Sequence, residues 1–482
     1  MSTISPRDAQ WRQELRDAMS AKERTAIPRA KMPELDPAYR ITCNEEVNQG
    51  LNEEQAVVEA TRCLDCPDPQ CVTGCPVNIN IPGFIKNIQR GNFIEAAAVL
   101  KETSALPAVC GRVCPQEKQC ESKCIYHKMK KQPVAIGYLE RFAADREQQS
   151  EVKARPAMAP RNGKRVAVVG SGPAGLSFAG DMIKLGYDVT VYEALHQIGG
   201  VLKYGIPEFR LPNAVVDVEI NALADMGVKF VKDCVIGKTL SREDLMTEGF
   251  DGIFVASGAG LPRFMGIPGE NLINVLSSNE YLTRINLMCA GRGGATPVPM
   301  GKRIAVIGGG NTAMDSVRTA RRMGAEHAMI VYRRSEAEMP ARLEEVKHAK
   351  EEGVEFMNLC NPIEYIGDEN GRVKAMRIQR MELGEPDASG RRTPVEIPGA
   401  IEEIEVDVVI VSVGVSPNPL IPNSFEGLDV TRKGTLEVDE TLLTSIPNMY
   451  AGGDIVRGGA TVILAMGDGR NAAAAMHQKL SC

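Results

Sequence analysis

The chain has 482 residues, of which 43% are apolar and 24% charged, a globular composition that excludes collagen-like and fully disordered chains. At about 100–200 residues per domain it holds two to four domains. No apolar run reaches the ~18 residues of a bilayer-spanning helix, and a formal charge of −6 argues against a nucleic-acid surface.

The opening stretch, MSTISPRDAQWRQELRDAM, has no apolar run and carries acids. Neither a secretory signal nor a transit peptide is expected, and a cytoplasmic location follows. Residues 1–155 are polar, with helical periodicity in LNEEQAVVEATRCLDC and GNFIEAAAVLKETSAL. They also hold most of the sulfur. Of 13 cysteines, eight lie between Cys63 and Cys124. A reducing compartment makes such a block a metal site rather than a disulfide framework.

The block has two runs. The first is Cys63-x2-Cys66-x4-Cys71-x3-Cys75-Pro76; the second is Cys110-x3-Cys114-Pro115-x4-Cys120-x3-Cys124. Eight soft thiolates match the needs of two [4Fe-4S] clusters. In two-cluster ferredoxins the Cys-Pro cysteine that closes a run serves the other cluster. That rule assigns Cys63, Cys66, Cys71 and Cys124 to one cluster, and Cys75, Cys110, Cys114 and Cys120 to the second. The competing reading is structural zinc, which prefers paired CxxC knuckles; only Cys63–Cys66 has that form. Cys43 reads as an idle thiol. The tract Tyr126-His127-Lys128-Met129-Lys130-Lys131 reads as a solvated face.

EVKARPAMAPRNGK (151–164) is a linker. From Arg165 the chain becomes α/β. RVAVVG, a helical stretch PAGLSFAGDMIKLG and YDVTVYE make a βαβ unit. Its loop, Gly170-Ser171-Gly172-Pro173-Ala174-Gly175, is GxGxxG, and Glu193 ends the next strand. Gly170 makes the turn, Gly172 admits a pyrophosphate to the backbone, and Gly175 lets helix and strand approach. Glu193 accepts from a ribose hydroxyl. The ligand is FAD or NAD. Gly199-Gly200, just after the acid, passes close to the same ligand.

A second unit runs RIAVIG, NTAMDSVRTARRMG, HAMIVYRR, and CAGRGGATPVPMG (289–301) is the crossover into it. Its loop is Gly308-Gly309-Gly310-Asn311-Thr312-Ala313. The next strand ends in Arg333-Arg334 instead of an acid. A carboxylate would repel a 2′-phosphate and a guanidinium pairs with one, so this site is expected to take NADPH. Tyr450-Ala451-Gly452-Gly453-Asp454 closes the chain's α/β part, with Asp454 placed to hydrogen-bond a flavin ribityl chain. No CxxC or Cx4C follows Cys124, and there is no nucleophile elbow or Walker A loop. Electrons from a flavin have no local dithiol to reach, and the cysteine block is their outlet.

The order of cysteine block, GSGPAG loop, GGGNTAMD loop with VYRR, and YAGGD resembles the small (beta) subunits of bacterial NADPH-dependent glutamate synthase. RCLDCPDPQCVTGCPVNINIPGFI and VLKYGIPEFRLP carry the resemblance most closely. It implies FAD on Gly170, Gly172, Pro173, Ala174, Gly175, Glu193, Gly200, Arg210, Gly453, Asp454 and Thr461. It implies NADPH on Gly308, Gly310, Asn311, Thr312, Arg333, Arg334 and Gly414, and a large (alpha) subunit as partner. The expected architecture is a helical double [4Fe-4S] domain (1–155) before two Rossmann-like domains. The FAD domain is expected at 160–297 and 443–482, with the NADPH domain inserted at 298–442. Hydride would pass from NADPH to the flavin, and electrons through the clusters to the large subunit. That subunit makes L-glutamate from L-glutamine and 2-oxoglutarate. This chain starts Met1-Ser2 and has neither an N-terminal cysteine nucleophile nor a spare flavin barrel, so it is not expected to make glutamate alone.

The chain also resembles the N-terminal half of dihydropyrimidine dehydrogenase and the transhydrogenase-type ferredoxin:NADP oxidoreductases. These supply the alternative of an electron-input subunit for another reductase. In the first, a glutamine replaces one cysteine ligand, and the matching place here is Glu140. Cys110 is nonetheless the expected ligand, because thiolate binds iron more strongly. A non-catalytic iron–sulfur scaffold is the reading from a different class; the intact glycines of both loops count against it.

Overall fold

The structure is a computed structural model that describes residues 5–290 and 294–481. The start at Met1-Ser2, part of the 289–301 crossover and Cys482 lie outside the described residues. The front of the chain is helical as expected, with Glu53–Thr61, Ile81–Gln89, Phe93–Lys101, α1 (Pro107–Val113) and α2 (Ile136–Gln149) packed together. Proline at the first position of α1 costs the helix no hydrogen bond, since that N–H has no intrahelical partner. Residues 151–164 hold no regular element and run along the next domain, with Ala159 and Asn162 N–H donating to the Lys184 and Gly186 carbonyls.

The first α/β unit is β1 (Arg165–Val169), α3 (Pro173–Lys184) and β2 (Asp188–Tyr192). It continues through α4 (Asn213–Asp225), β3 (Lys229–Val231) and β4 (Gly252–Val255). Next come β5 (Val275–Ser277), β6 (Arg303–Ile307), α5 (Asn311–Arg322), β7 (His327–Tyr332), α6 (Leu343–Glu351) and β8 (Glu355–Asn358). Three long strands follow, β9 (Cys360–Gly367), β10 (Val373–Pro386) and β11 (Arg392–Glu405), before β12 (Val408–Val411). The chain closes with β13 (Met449–Ala451) and α7 (Val462–Ser481).

Two parallel sheets result, in orders β13-β4-β1-β2-β3 and β5-β12-β6-β7-β8. β9, β10 and β11 form an antiparallel sheet of their own. The runs VAVV and IAVI are buried residue after residue, as strands covered on both faces must be. The second sheet lies in sequence between strands of the first, so the second nucleotide domain is inserted in the first.

The crossings differ from the expected 298 and 442. β5 pairs with β12 in the second sheet, while Ile421, Phe425, Leu436 and Ile446 sit in the core beneath the first. The chain passes between domains at Leu261–Pro262 and Val415–Ser416, which pair antiparallel. Neither segment carries a glycine loop, so nothing local marks its sheet; long-range pairing decides it.

The cysteine domain is no appendage. One continuous apolar core joins its Cys75, Val109 and Cys110 to Ala174, Phe178, Met466 and Ala473 of the first nucleotide domain. Among the described residues no helix is long and apolar enough to cross a membrane.

Candidate functional site

Both glycine loops open on one cleft of about 1930 Å³ between the nucleotide domains. At the first loop, Gly170 has φ +103°, and an added Cβ would stand 2.5 Å from the Ala256 carbonyl oxygen. Gly172 caps the N-terminus of α3, and a Cβ there would meet no protein atom within 4 Å. The empty side is the cleft, as backbone that admits a phosphate requires. Gly175 lies under the loop, not on the cleft wall; its Cβ would stand 2.0 Å from the Gly170 oxygen. Glu193 is buried at the wall. One oxygen accepts from the Ser171 N–H at 3.0 Å and from its hydroxyl, the other from the Leu195 N–H at 2.9 Å. A carboxylate oxygen has two acceptor directions, so the second oxygen retains one for a ribose hydroxyl.

The closing turn is held by a residue that sequence reasoning missed. Asp468 of α7, 1% exposed, accepts from the Gly453 N–H at 2.9 Å and grips the Arg457 guanidinium at 2.6 Å through both oxygens. The signal was an acid inside the helical run VILAMGDGRNAAAAM, whose other residues are apolar or small apart from Arg470 and Asn471. Asp454 stands beside it, and burial raises its carboxyl to about 6. Thr461 stands immediately before α7, its hydroxyl accepting from the Leu464 N–H. Pro173, Ala174, Gly200 and Arg210 also line the cleft. Arg210 is already engaged: its guanidinium meets both oxygens of Asp315 on α5 at 2.6 and 2.7 Å. It ties the two nucleotide domains together.

At the second loop, Gly308 has φ +141°, and Gly310 caps α5 with no atom closer than 4.0 Å to an added Cβ. Asn311, Thr312 and Gly414 share that wall. The paired arginines differ. Arg333 is exposed on the cleft, whereas Arg334 is buried and bonded to Asp387 at 2.5 Å.

The eight cysteines separate by burial. Cys63, Cys66, Cys71 and Cys124 are half-buried, and Cys75, Cys110, Cys114 and Cys120 are buried. Burial and then the charges of Cys63 and Cys124 push the Cys66 thiol up to about 11. Burial, and more weakly the charges of Glu140 and Cys114, push Cys75 up to about 12. Burial outweighs the help that Lys86 gives the Cys63 thiolate, and the thiols need further positive charge to ionise. A bound cationic centre would supply it. Among the described residues the sole trio of Cys, His, Asp or Glu donor atoms within 4.8 Å of one another is Glu34, Glu344 and His348, with no cysteine in it. Sulfurs sharing one tetrahedral zinc at about 2.3 Å would stand about 3.8 Å apart. Among the described residues no three cysteine sulfurs stand within 4.8 Å of one another.

The buried group adjoins the flavin-side domain. Cys110 Sγ lies 3.4 Å from Met466 Sδ on α7, and a Cβ on Gly467 would stand 3.0 Å from the Pro76 carbonyl oxygen. Glu140 is buried in the same place with its Oε1 unpartnered. Its charge reaches Cys75, Cys110 and Cys120, and burial raises its own carboxyl to about 8.

Fold and site define the class: an NADPH-dependent flavin and iron–sulfur oxidoreductase. Residues 40–152 match the family described as dihydropyrimidine dehydrogenase domain II, 4Fe-4S cluster. Residues 164–469 match the pyridine nucleotide-disulphide oxidoreductases. The chain is 38% identical over 458 residues to the glutamate synthase (NADPH) small chain of Azospirillum brasilense, covering 93% of this chain and 94% of that one. It is 36% identical over 438 residues to the Escherichia coli K12 small chain, covering 89% and 92%. The chain belongs to the family of glutamate synthase (NADPH) small chains. The solved structure of Mycobacterium tuberculosis FprA in complex with NADPH shares the fold, with TM-score 0.57 and 21% identity over 67% of this chain and 85% of that one.

Proposed function

We propose that this chain is the electron-input subunit of a cytoplasmic glutamate synthase. It takes hydride from NADPH onto FAD and passes electrons through two [4Fe-4S] clusters to the large subunit, which makes L-glutamate from L-glutamine and 2-oxoglutarate. When bound, the flavin converts a hydride into single electrons and the clusters conduct them. The chain's own residues bind, orient and separate. Gly172 and Gly310 open two helix N-termini to pyrophosphates; Glu193 and Asp454 accept from sugar and ribityl hydroxyls; Arg333 favours a 2′-phosphate.

The observation that carries this reading is the packing of Pro76 and Cys110 against α7, the helix that begins at the flavin-side wall of the cleft. The buried cysteine group is thereby the first stop, and the half-exposed group, Cys63, Cys66, Cys71 and Cys124, is the exit to the partner. Cys75, Cys114 and Cys120 supply three ligands of the buried cluster, and Cys110 and Glu140 both stand at the fourth place. Comparing Cys110→Ser with Glu140→Gln by electron paramagnetic resonance assigns it: the ligand is the one whose loss alters the second cluster's signal.

The deciding test uses anaerobically purified protein. About eight irons and eight sulfides per chain are expected. NADPH should bleach the flavin and reduce an artificial acceptor, and glutamate should form only after the large subunit is added. Zinc in place of iron, or a flavin untouched by NADPH, overturns the reading.

A further inference from the structure

The long hairpin of β10 and β11 does more than extend the second domain. Its tip folds back onto the end of β7. Asp387 is the hinge of this contact: one carboxylate oxygen accepts from Arg334 at 2.5 Å. The other accepts from the Ser389 N–H and hydroxyl, and more distantly from the Arg391 N–H at 3.4 Å. The tip is a tight turn, with the Asp387 N–H donating to the Arg391 carbonyl and the Gly390 N–H to the Asp387 carbonyl, both at 2.8 Å. The turn places Arg391 on the cleft wall that Arg333 and Arg334 share. Its Nε donates to the Ser389 hydroxyl at 3.0 Å. Among the described residues neither the Arg391 nor the Arg333 guanidinium forms an ion pair with a carboxylate, whereas that of Arg334 is neutralised by Asp387.

We propose that Arg391 is a specificity-determining residue for NADPH, sharing the 2′-phosphate with Arg333, and that Arg334 and Asp387 are positioning residues that hold the hairpin tip against the nucleotide. This rests on the reading of the second domain as the NADPH site. The chemistry divides the arginines by what they already hold. A guanidinium paired with a carboxylate has little charge left for a phosphate dianion, while an unpaired one gives charge-assisted, bidentate contacts. The strand-end arginine visible to a motif search is therefore not the only one that selects the cofactor. A second comes from an element more than 50 residues further along the chain.

The test is steady-state NADPH and NADH oxidation by the holoenzyme with an artificial acceptor, alongside calorimetric binding of adenosine 2′,5′-bisphosphate. Arg391→Gln should raise KM for NADPH, and weaken the bisphosphate, about tenfold or more. Its kcat and its kcat/KM for NADH should not change, and Arg391→Lys should recover part of the loss. Asp387→Asn should raise KM for NADPH by a smaller factor, again without effect on NADH. NADPH and NADH changing together, or unaltered bisphosphate affinity in Arg391→Gln, overturns the proposal. The two readings fail differently. A wild-type protein with no preference for NADPH over NADH sinks the assignment of the domain itself. A wild type that prefers NADPH beside an Arg391→Gln variant that keeps the preference sinks only the role of Arg391.

Discussion

Two glycines three residues apart in one loop carry separable duties. Gly175 exists for the fold, because a methyl there would overlap the Gly170 carbonyl; Gly172 faces open cleft. Gly175→Ala should lower thermal stability, at a cost of about 1–3 kcal/mol for overpacking, and lose flavin as a consequence. Gly172→Ala should fold with an unchanged melting temperature in the flavin-free protein and still fail to retain flavin. Differential scanning calorimetry with flavin absorbance separates the two. Asp454 adds a pH signature. Burial raises its carboxyl to about 6, and an ionised carboxylate is the stronger acceptor for a ribityl hydroxyl. Flavin retention should weaken between pH 7.5 and 5.5 as Asp454 takes up a proton, and Asp454→Asn should abolish that slope. Fluorescence of released flavin against pH measures both.

Elements of different domains cap one another. The carboxylate of Glu219, on α4 of the first nucleotide domain, accepts from the N–H groups of Ala108 at 2.7 Å and Val109 at 3.4 Å. These are first-turn donors of α1, the helix that carries Cys110, and they have no partner within the helix. Glu219 thus performs across a domain boundary what an N-cap residue does locally. Glu219→Ala leaves buried donors unsatisfied and should cost about 1–3 kcal/mol in urea unfolding. Cysteine-centred spectra should broaden in that variant while Arg333 and the second nucleotide site stay unaffected. α7 works at the same scale. A Cβ on its Gly469 would stand 2.3 Å from the Ala174 carbonyl oxygen, so the helix seats directly on α3.

The whole molecule is locked by a buried ion network between the front domain and the inserted one. Arg40 bonds Glu352 at 2.9 Å and Glu351 at 2.8 Å; Glu352 also holds Arg318 and Arg322, and Arg318 pairs with Glu345. Arg342 reaches the Arg112 carbonyl and the Gln116 side chain of the cysteine domain. Burial works to raise Glu352, but Arg318 and Arg322 overcome it and bring the carboxyl down to about 2. The unfolded chain, with an ordinary glutamate near 4.5, takes up its proton first as the pH falls. The stabilisation is therefore complete above about 4.5 and fades toward 2. Glu352→Gln leaves three arginines around a neutral amide and should cost about 3–5 kcal/mol at pH 7. The difference from wild type should shrink at pH 3, as urea midpoints at both pH values will show.

The chemistry of this protein was legible in its sequence because it resides in short, contiguous patterns. GSGPAG with Glu193, GGGNTA with Arg333, and the two cysteine runs each specify a local backbone and a local charge; the two glycine loops, Glu193 and Arg333 line one cleft, with Gly175 and Ala313 off its wall. What no local pattern contains is a partner distant along the chain. The domain crossings at 261–262 and 415–416, the engagement of Arg210 by Asp315, and the neutralisation of Arg334 by Asp387 were decided only by tertiary structure. So was the seating of Pro76 and Cys110 on α7. Sheet pairing and buried ion pairs are selected by desolvation, which depends on everything that surrounds a group and not on its neighbours in sequence.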